Sequence, residues 1–531
     1  MAADTQNITI KNMQRSIPLT KGMSLYHALQ KEGIALSAPC AGNGTCGACK
    51  VKVVSGILAV TEKDRELLSE AELKEGWRLA CQVYPEEACE IYVPEEQFAA
   101  VTGYCKNNGQ AEAVMTRAAT QEDVRTKDAS GPCAIAIDLG TTTIAYELFS
   151  LKTGETIKTI SSVNPQRIYG ADVVSRMEQS DNGRRDMLRL AIRQGIKKDL
   201  AVLLKGVDAE YLQSVVISGN TAMVHLLMGY SCEGLGRYPF TPVTLEHILT
   251  DAVRLNIMEQ PVPVHIMAGI SAYVGGDILT GLVSRHFLSE EQPCLFLDLG
   301  TNAEMALTDG HGKIYVTSAP AGPAFEAANI SCGVGSVEGA ISGLTIQNGQ
   351  QLLTTIGEKE PVGFCGSGIL EAVYELLKNN LIDETGLLAD AYFDGGYPVG
   401  KLKITQQDIR QIQLAKSAVF SAIHILLKKA GIAASRIEKV YLAGGFGYNL
   451  NVEKAIGIGL LPQDFTGKVQ AVGNTSLYGA KEILRGRITE AELQNTKAAC
   501  EEIYLSNETD FQAVFMENMN FEKLDECGRT V

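Results

Sequence analysis

A single tryptophan, seven histidines and a shortage of basic charge, 47 Lys and Arg against 62 Asp and Glu, mark what this 531-residue chain has little of. The resulting net charge of -15 excludes a surface built for nucleic acid, which wants a basic face. No uninterrupted apolar run reaches the length of a membrane span, and the opening MAADTQNITI lacks the charged-then-apolar order of a secretion signal. The histidines form no pair at metal-ligand spacing. Neither a Walker A signature nor a Rossmann fingerprint occurs, which makes those two nucleotide folds poor candidates for this chain. Hydrophobic residues, by contrast, make up 45% of the chain, enough to build cores throughout about three domains.

Thirteen cysteines, an odd number mostly scattered singly, suit a reducing compartment, and a cytoplasmic protein of anaerobic habit is expected. Four of them break the scatter. Cys40, Cys46 and Cys49 share one loop, APCAGNGTCGAC, and Cys81 stands alone in RLACQV. Small residues between the first three let a loop close around an inorganic core and aim backbone N–H groups at its sulfurs. Plant-type ferredoxins space their ligands C-x4-C-x2-C with a remote fourth cysteine; one extra residue stands in the first gap here. The stretch resembles a 2Fe-2S ferredoxin of the β-grasp fold, with Cys40, Cys46, Cys49 and Cys81 as metal ligands. Structural zinc is the alternative, although zinc sites usually pair two short knuckles, and Cys89 is a rival fourth ligand. Around the loop, NITIKNMQRSIPLT predicts a hairpin, SLYHALQKEG a helix closed by glycine, and CKVKVVSG a strand. Trp77, just before RLAC, is read as core.

After EIYVP the text turns polar and aperiodic, so residues 1–95 are expected to form the ferredoxin domain and 96–132 a flexible linker. About 35 such residues would reach on the order of 30 Å. Beyond it the chain repeats itself. CAIAIDLGTTTIAYEL from Cys133 and CLFLDLGTNAEMALT from Cys294 are both apolar strands ending in Asp-Leu-Gly-Thr and turning into a second strand. A duplicated strand-turn-strand implies two α/β lobes with a cleft, expected over 133–285 and 286–531.

Each turn has a chemistry. Glycine allows close backbone approach, so the N–H groups of Gly140 and Gly300 can cradle phosphate, with Thr141, Thr142 and Thr143, or Thr301 and Asn302, adding polar side chains. Asp138 and Asp298 at the strand ends suit Mg2+, which keeps several waters and needs few carboxylates. A third glycine turn, LAGGFG, offers Gly444, Gly445 and Phe446 to an adenosine. One such turn alone is often an ordinary hairpin. Together, in this order, they resemble the phosphate and adenosine motifs of the superfamily of acetate and sugar kinases, actin and the large heat-shock chaperones, implying ATP and Mg2+ as cofactors.

The combination of a ferredoxin, a linker and such an ATPase resembles the reductive activators of corrinoid proteins, including the activating enzymes of corrinoid O-demethylase systems. The likeness extends through NPQRIYGADVVSR (164–176), SGNTAM (218–223), GGD (275–277), APAGPAFEAANI (319–330), CGSG (365–368) and GNTSLYGA (473–480). Larger members carry a small extra domain before the ATPase, whereas here the polar stretch runs almost directly into CAIAIDLG. The resemblance implies an ATP-hydrolysing activase that passes one electron to the inert Co(II) of a corrinoid protein and regenerates Co(I) for methyl transfer. It also implies an upstream electron donor and a homodimer formed through the ATPase. Plant-type clusters sit near -400 mV, so a cobalt couple ~150 mV lower would oppose the transfer by roughly 3.5 kcal/mol. Nucleotide can help only by binding two states differently.

Other residues are weighed against ordinary roles. Glu326, with Glu304, is a candidate to position water or Mg2+, against a cap or lobe salt bridge. Ser367 is a candidate for phosphate or cobalt contact, against simple capping. Cys365 is read as a buried small residue, and His225 and His424 as packed in apolar helices. Rival functions are a dehydratase-type activator, a small-metabolite kinase, a redox-free chaperone-like reactivase and a bare electron carrier. The first lacks this ferredoxin in its known form; each of the others leaves either the cysteine loop or the nucleotide turns without work.

Overall fold

The computed structural model describes residues 7–94 and 131–524, apart from positions 14, 20–21, 32–33, 35, 37–43, 45–46, 48, 171, 328 and 523. The expected linker lies outside the described residues except for its last two positions. Five strands form the first unit: β1 (Asn7–Ile10), β2 (Arg15–Pro18), β3 (Lys50–Ser55), β4 (Trp77–Leu79) and β5 (Cys89–Tyr92), in the order β2-β1-β5-β3-β4. The expected hairpin is β1 with β2, and β5 pairs parallel to β1 at the centre of the sheet. Ile8, Ile10, Val51 and Ile91 alternate inward against Leu25, Tyr26, Ala28 and Leu29 of the helix Leu25–Lys31. Burying a two-residue period on one sheet face and a helical stripe against it is what makes this small unit a β-grasp. Capping boxes at Thr61 and Ser69 start the two short helices after β3.

The second unit is a six-stranded sheet of order β10-β11-β9-β6-β7-β8. It contains β6 (Cys133–Leu139), β7 (Thr143–Ser150), β8 (Thr156–Val163), β9 (Leu212–Gly219), β10 (Ile248–Asp251) and β11 (Pro263–Ile266). Strands β6, β7 and β8 form an antiparallel meander, and the helix Arg185–Leu203 returns the chain so that β9 lies parallel to β6. The third unit repeats that plan. β12 (Cys294–Leu299), β13 (Ala303–Thr308) and β14 (Ile314–Ala319) form the meander. A three-stranded sheet of β15 (Ala340–Gln347), β16 (Gln350–Thr355) and β17 (Gly363–Phe364), and a short pair, β18 (Tyr397–Val399) and β19 (Leu402–Ile404), precede the helix Gln406–Ala430. β20 (Lys439–Ala443) then runs parallel to β12, with β21 (Val469–Gly473) outside it and β22 (Cys500–Glu502) on the far edge. The strands CAIAIDL and CLFLDL are apolar almost without alternation because both faces of each sheet are covered.

The two lobes are tied by the helix Thr475–Leu484. Its Leu477 and Ala480 pack with Ala134, Ala136, Ala145 and Val216 of the first lobe's sheet. It also crosses the helix Gly276–Ser284 so closely that a side chain at Gly479 would meet the Thr280 carbonyl at 2.2 Å. No helix of the described residues is long and apolar enough to cross a membrane.

Candidate nucleotide and iron-sulfur sites

Of the four predicted ligands, Cys40 and Cys46 lie outside the described residues, while Cys49 and Cys81 are buried in the ferredoxin core. The Ala80 amide donates to the Cys49 carbonyl at 2.9 Å, which sets the two thiol-bearing residues side by side at the end of the β3–β4 pair. From the ligand loop, Gly44 adopts a positive φ and lies so close to Gln82 that a Cβ would meet its amide nitrogen at 2.5 Å. That amide in turn donates to Cys81 Sγ at 3.4 Å. A loop glycine pressed on a side chain that hydrogen-bonds a ligand sulfur is what a cluster cradle needs, so the described residues fit the group. Cys89 lies instead within β5, paired with Ile8 of β1 and under Gly56, where burial raises its thiol pKa. Trp77 packs against the same core, beneath Lys52.

The two Asp-Leu-Gly-Thr turns face each other and touch. Thr142 Oγ1 and Thr301 Oγ1 are 2.9 Å apart across the cleft, although the sequence separates them by 159 positions. Thr141 Oγ1 accepts from Asn220 Nδ2 at 3.0 Å, so the residue that caps the helix Thr221–Met228 also braces the first turn. Gly140 must be glycine, because a Cβ there would meet the Thr143 carbonyl at 2.4 Å. The third turn arrives through Gly444, whose φ of +83° and approach to Asp298 Oδ1, 2.6 Å from an added Cβ, admit no side chain. Phe446 stacks on Phe325 at 4.7 Å between ring centroids, so its ring is held against protein and Gly444 and Gly445 carry the open backbone of this turn.

Beneath the turns lies a cluster of carboxylates that the sequence does not reveal as a unit. Asp138 and Asp298 are joined by Asp277, from GGD, and by Glu304, which sits directly across the β12–β13 pair from Asp298. Gly275 makes the third member possible: a Cβ there would meet the Asn220 Cα at 2.3 Å. Burial first, then repulsion from Asp138 and Asp298, pushes Asp277 up to about 8; burial and Asp138 push Asp298 up to about 7. Glu304 is raised well above the carboxylate range by burial, Asp277 and Asp298. Asp138 is raised by burial, but Asn474 Nδ2 at 2.7 Å and Ser476 Oγ at 2.9 Å, both from GNTSLYGA, donate to it and oppose the shift. Like charges buried in one coupled cluster destabilise the fold unless protons or a cation separate them.

The cluster makes stability depend on pH. Asp277 and Asp298 hold protons in the folded protein that the unfolded chain, with ordinary carboxyl pKa values near 3.9, has already released at neutral pH. Their raised pKa values therefore make stability fall as pH rises from about 4 through 7 and 8. Thermal unfolding in chelator at pH 6 and pH 8.5 is expected to show the lower midpoint at pH 8.5, with the Asp277→Asn variant showing a smaller difference.

Glu326 faces the same turns. It accepts from Thr301 Oγ1 at 3.1 Å, and burial raises its pKa against the opposing pull of Thr142, Thr301, Arg167 and Arg176. Arg176, fully buried, has no ion pair among the described salt bridges and one terminal nitrogen without a partner, and burial lowers its pKa to about 9. Glu304, Glu326 and the three aspartates thus share one cleft. Ser367 is not a cap: it lies inside the first turn of the helix Gly366–Lys378 and donates to the Ser342 carbonyl at 3.4 Å. The CGSG glycines serve packing, since side chains at Gly366 and Gly368 would meet the carbonyls of Phe325 and Ile341. His225 is packed as expected, its Nε2 accepting from the Val243 amide at 3.0 Å, but His424 lies on the solvent face of its helix. The missed contributors, Asp277, Asn220, Asn474 and Ser476, all stand in polar-glycine strings at helix starts, the one local signal that could have marked them.

A β-grasp unit with cysteines at the cluster spacing, joined to two lobes whose hairpins converge on a carboxylate-lined cleft, defines an iron-sulfur protein fused to a nucleotide-binding unit. Residues 8–86 match the 2Fe-2S iron-sulfur cluster binding domain, 133–289 the RACo middle region, and 292–527 the C-terminal domain of RACo, the ASKHA domain. The chain is 30% identical over 422 residues to the corrinoid activation enzyme RamQ of Eubacterium limosum, covering 73% of this chain and 70% of that one. Against the Co(II) methylated amine-specific corrinoid protein reductase of Methanosarcina barkeri identity is 26% over 388 residues, 66% of this chain and 69% of the other. The solved structure of a reductive activator for corrinoid,iron-sulfur protein superposes with a TM-score of 0.69 at 27% identity, covering 97% of this chain and 98% of that one. The chain belongs to the family of reductive activators of corrinoid proteins.

Proposed function

We propose that this protein returns the cobalt of a corrinoid protein from Co(II) to Co(I), one electron at a time, in a reaction that depends on ATP. The observation that carries the reading is the presence of both halves in one chain: a 2Fe-2S cluster binding unit and a paired-hairpin nucleotide cleft, matched together along nearly the whole length of a reductive activator. Cys40, Cys46, Cys49 and Cys81 would hold the cluster, which when bound supplies low-potential one-electron chemistry. Backbone and side-chain groups of Gly140, Thr141, Thr142 and Thr143 and of Gly300, Thr301 and Asn302 would bind phosphates, and Gly444, Gly445 and Phe446 the adenosine end. Asp138, Asp298 and Asp277 would hold Mg2+, directly or through its waters; the repulsion among these buried carboxylates is the support for a cation there. Glu326 would orient the attacking water, a role supported by its hydrogen bond from Thr301 and its interaction with Thr142.

The electron comes from an upstream low-potential donor, and the working unit is a homodimer built through the nucleotide lobes. Unpaired thiols at Cys133, Cys232, Cys294, Cys332, Cys365 and Cys500 support a reducing compartment, the cytoplasm. Closure of the lobes around the nucleotide raises affinity for the Co(II) state of the partner, and the family-level energy gap sets how large that bias must be. Anaerobically purified protein, mixed with a reductant and candidate corrinoid proteins from the same cell, should give the Co(I) absorption spectrum with Mg-ATP. It should give little without nucleotide. Equal Co(I) formation in both samples would refute the ATP-dependent reading, and a phosphorylated metabolite in place of Co(I) would favour a kinase.

A further inference from the structure

The ferredoxin unit meets the first nucleotide lobe through a small polar contact. From the helix Leu25–Lys31, the Tyr26 hydroxyl donates to the Ile168 carbonyl at 2.6 Å, and an Arg184 terminal nitrogen lies 2.8 Å from His27 Nε2. A guanidinium can only donate, so Nε2 offers its lone pair, Nδ1 carries the proton, and the 2.8 Å contact to Ser24 Oγ is made by that N–H. Burial, then the Arg184 charge, lowers the His27 pKa, which agrees with a neutral ring. Arg184 is braced from its own side by Gln179 Oε1 at 2.6 Å, and Tyr26 is 1% exposed. Both ends of the contact are therefore built.

The lobe segment that makes this contact also holds the first phosphate turn. Asn164 donates from its amide to the Thr142 carbonyl and from Nδ2 to the Gly140 carbonyl, each at 2.8 Å. The single turn Pro165–Tyr169 then leads to Ile168. On the ferredoxin side, the Tyr26 amide donates at 2.8 Å to the carbonyl of Ala80, the neighbour of Cys81. A bonded path thus runs from the phosphate turn through Asn164, Ile168 and Tyr26 to the strand end that bears a cluster ligand. We infer that residues 164–184 are a docking surface for the chain's own ferredoxin helix, and that nucleotide at the paired hairpins changes the strength of that dock. The coupling half rests on the nucleotide function proposed for the cleft; the dock does not.

The hydrogen bonds described across this contact are side-chain bonds of modest net strength, a kind of hold that can open as a domain that must visit another protein requires. Linkage makes the coupling reciprocal: whatever factor nucleotide applies to docking, docking applies to nucleotide affinity.

Hydrogen exchange read by mass spectrometry on the full, cluster-loaded chain tests both halves, using wild type and the double variant Tyr26→Phe with Arg184→Gln. Unchanged cluster absorbance confirms that the variant is folded. Without nucleotide, peptides covering 24–31 and 165–184 are expected to exchange about tenfold faster in the variant, while β12 and β20 are unaffected. A non-hydrolysable ATP analogue with Mg2+ should change exchange of 24–31 in wild type, leave it unchanged in the variant, and bind the two proteins with different Kd. Equal exchange of 24–31 in both proteins would overturn the dock. A variant effect with no analogue effect on 24–31, when calorimetry shows the analogue bound, would overturn the coupling. If calorimetry shows no binding, the nucleotide function fails and the coupling with it, while the variant comparison still decides the dock.

Discussion

Replacing Cys81 with serine is expected to reduce ATP-dependent Co(I) formation by about a hundredfold or more, with nucleotide affinity unchanged within about twofold. Cys81 lies 4% exposed at the end of β4, supported by the Gln82 amide on its sulfur and by Gly44 from the ligand loop. A serine hydroxyl does not ionise at neutral pH as a metal-bound thiol does, and it is shorter, so the cradle would present three ligands and a neutral oxygen. Cys81 is buried in the ferredoxin core and its described hydrogen bond comes from Gln82 of the same unit, which is why binding of nucleotide should survive. Loss of the visible cluster absorbance, Co(I) formation and analogue Kd are the three readouts. Persistent cobalt reduction by a protein lacking the cluster would revive the redox-free reactivase. Cys89→Ser, by contrast, should retain the cluster, because Cys89 is committed to β5, paired with Ile8 of β1 and pressed under Gly56, and its described contacts include neither Gly44 nor Gln82.

Asp298→Asn is expected to slow ATP hydrolysis by on the order of a hundredfold to a thousandfold, and the same substitution should raise the thermal midpoint of the metal-free protein. The opposite signs have one cause. Asp298 stands against Glu304 across the β12–β13 pair and is charge-coupled to Asp138 and Asp277. Deleting one charge relieves repulsion in the empty cleft, and the same deletion removes a group proposed to hold the cation. A cluster of this kind lowers stability, as residues set for function rather than for the fold commonly do. Isothermal titration with Mg2+ and analogue, ATPase assays and thermal scans in chelator check the three parts. A loss of thermal stability in the variant would show that Asp298 supports the fold, contrary to the repulsion argument.

Much of this molecule is legible in its sequence. The apolar runs CAIAIDL and CLFLDL, each ending in Asp-Leu-Gly-Thr, imply the duplicated meander because a strand buried on both faces needs no alternation. The cysteine loop is legible because ligand spacing and small intervening residues are local properties. His424 departs from expectation for the converse reason: apolar neighbours along a helix do not say which face a given residue takes, and His424 points to solvent. Ser367 is a plausible cap by its position alone, but the glycines beside it let the helix start press on Phe325 and Ile341, and its hydroxyl is taken by the Ser342 carbonyl.

The strings GGD, SGNTAM and GNTSLYGA stand out in the sequence without disclosing a role. Their meaning is a matter of distance between segments far apart in the chain: Asn474 donates to Asp138 across 336 positions, and Asn220 steadies Thr141 across 79. Sequence alone determined which motifs the chain carries, a cysteine loop at cluster spacing and two glycine turns suited to phosphate, because each depends on residues within one loop. Only the tertiary structure decided that five carboxylates share a cleft, that the last helices cross back onto the first lobe, and that the ferredoxin helix rests on the segment beneath the first Asp-Leu-Gly-Thr turn. Burial and like-charge repulsion are sums over neighbours brought together by packing, and no window along the chain contains those neighbours.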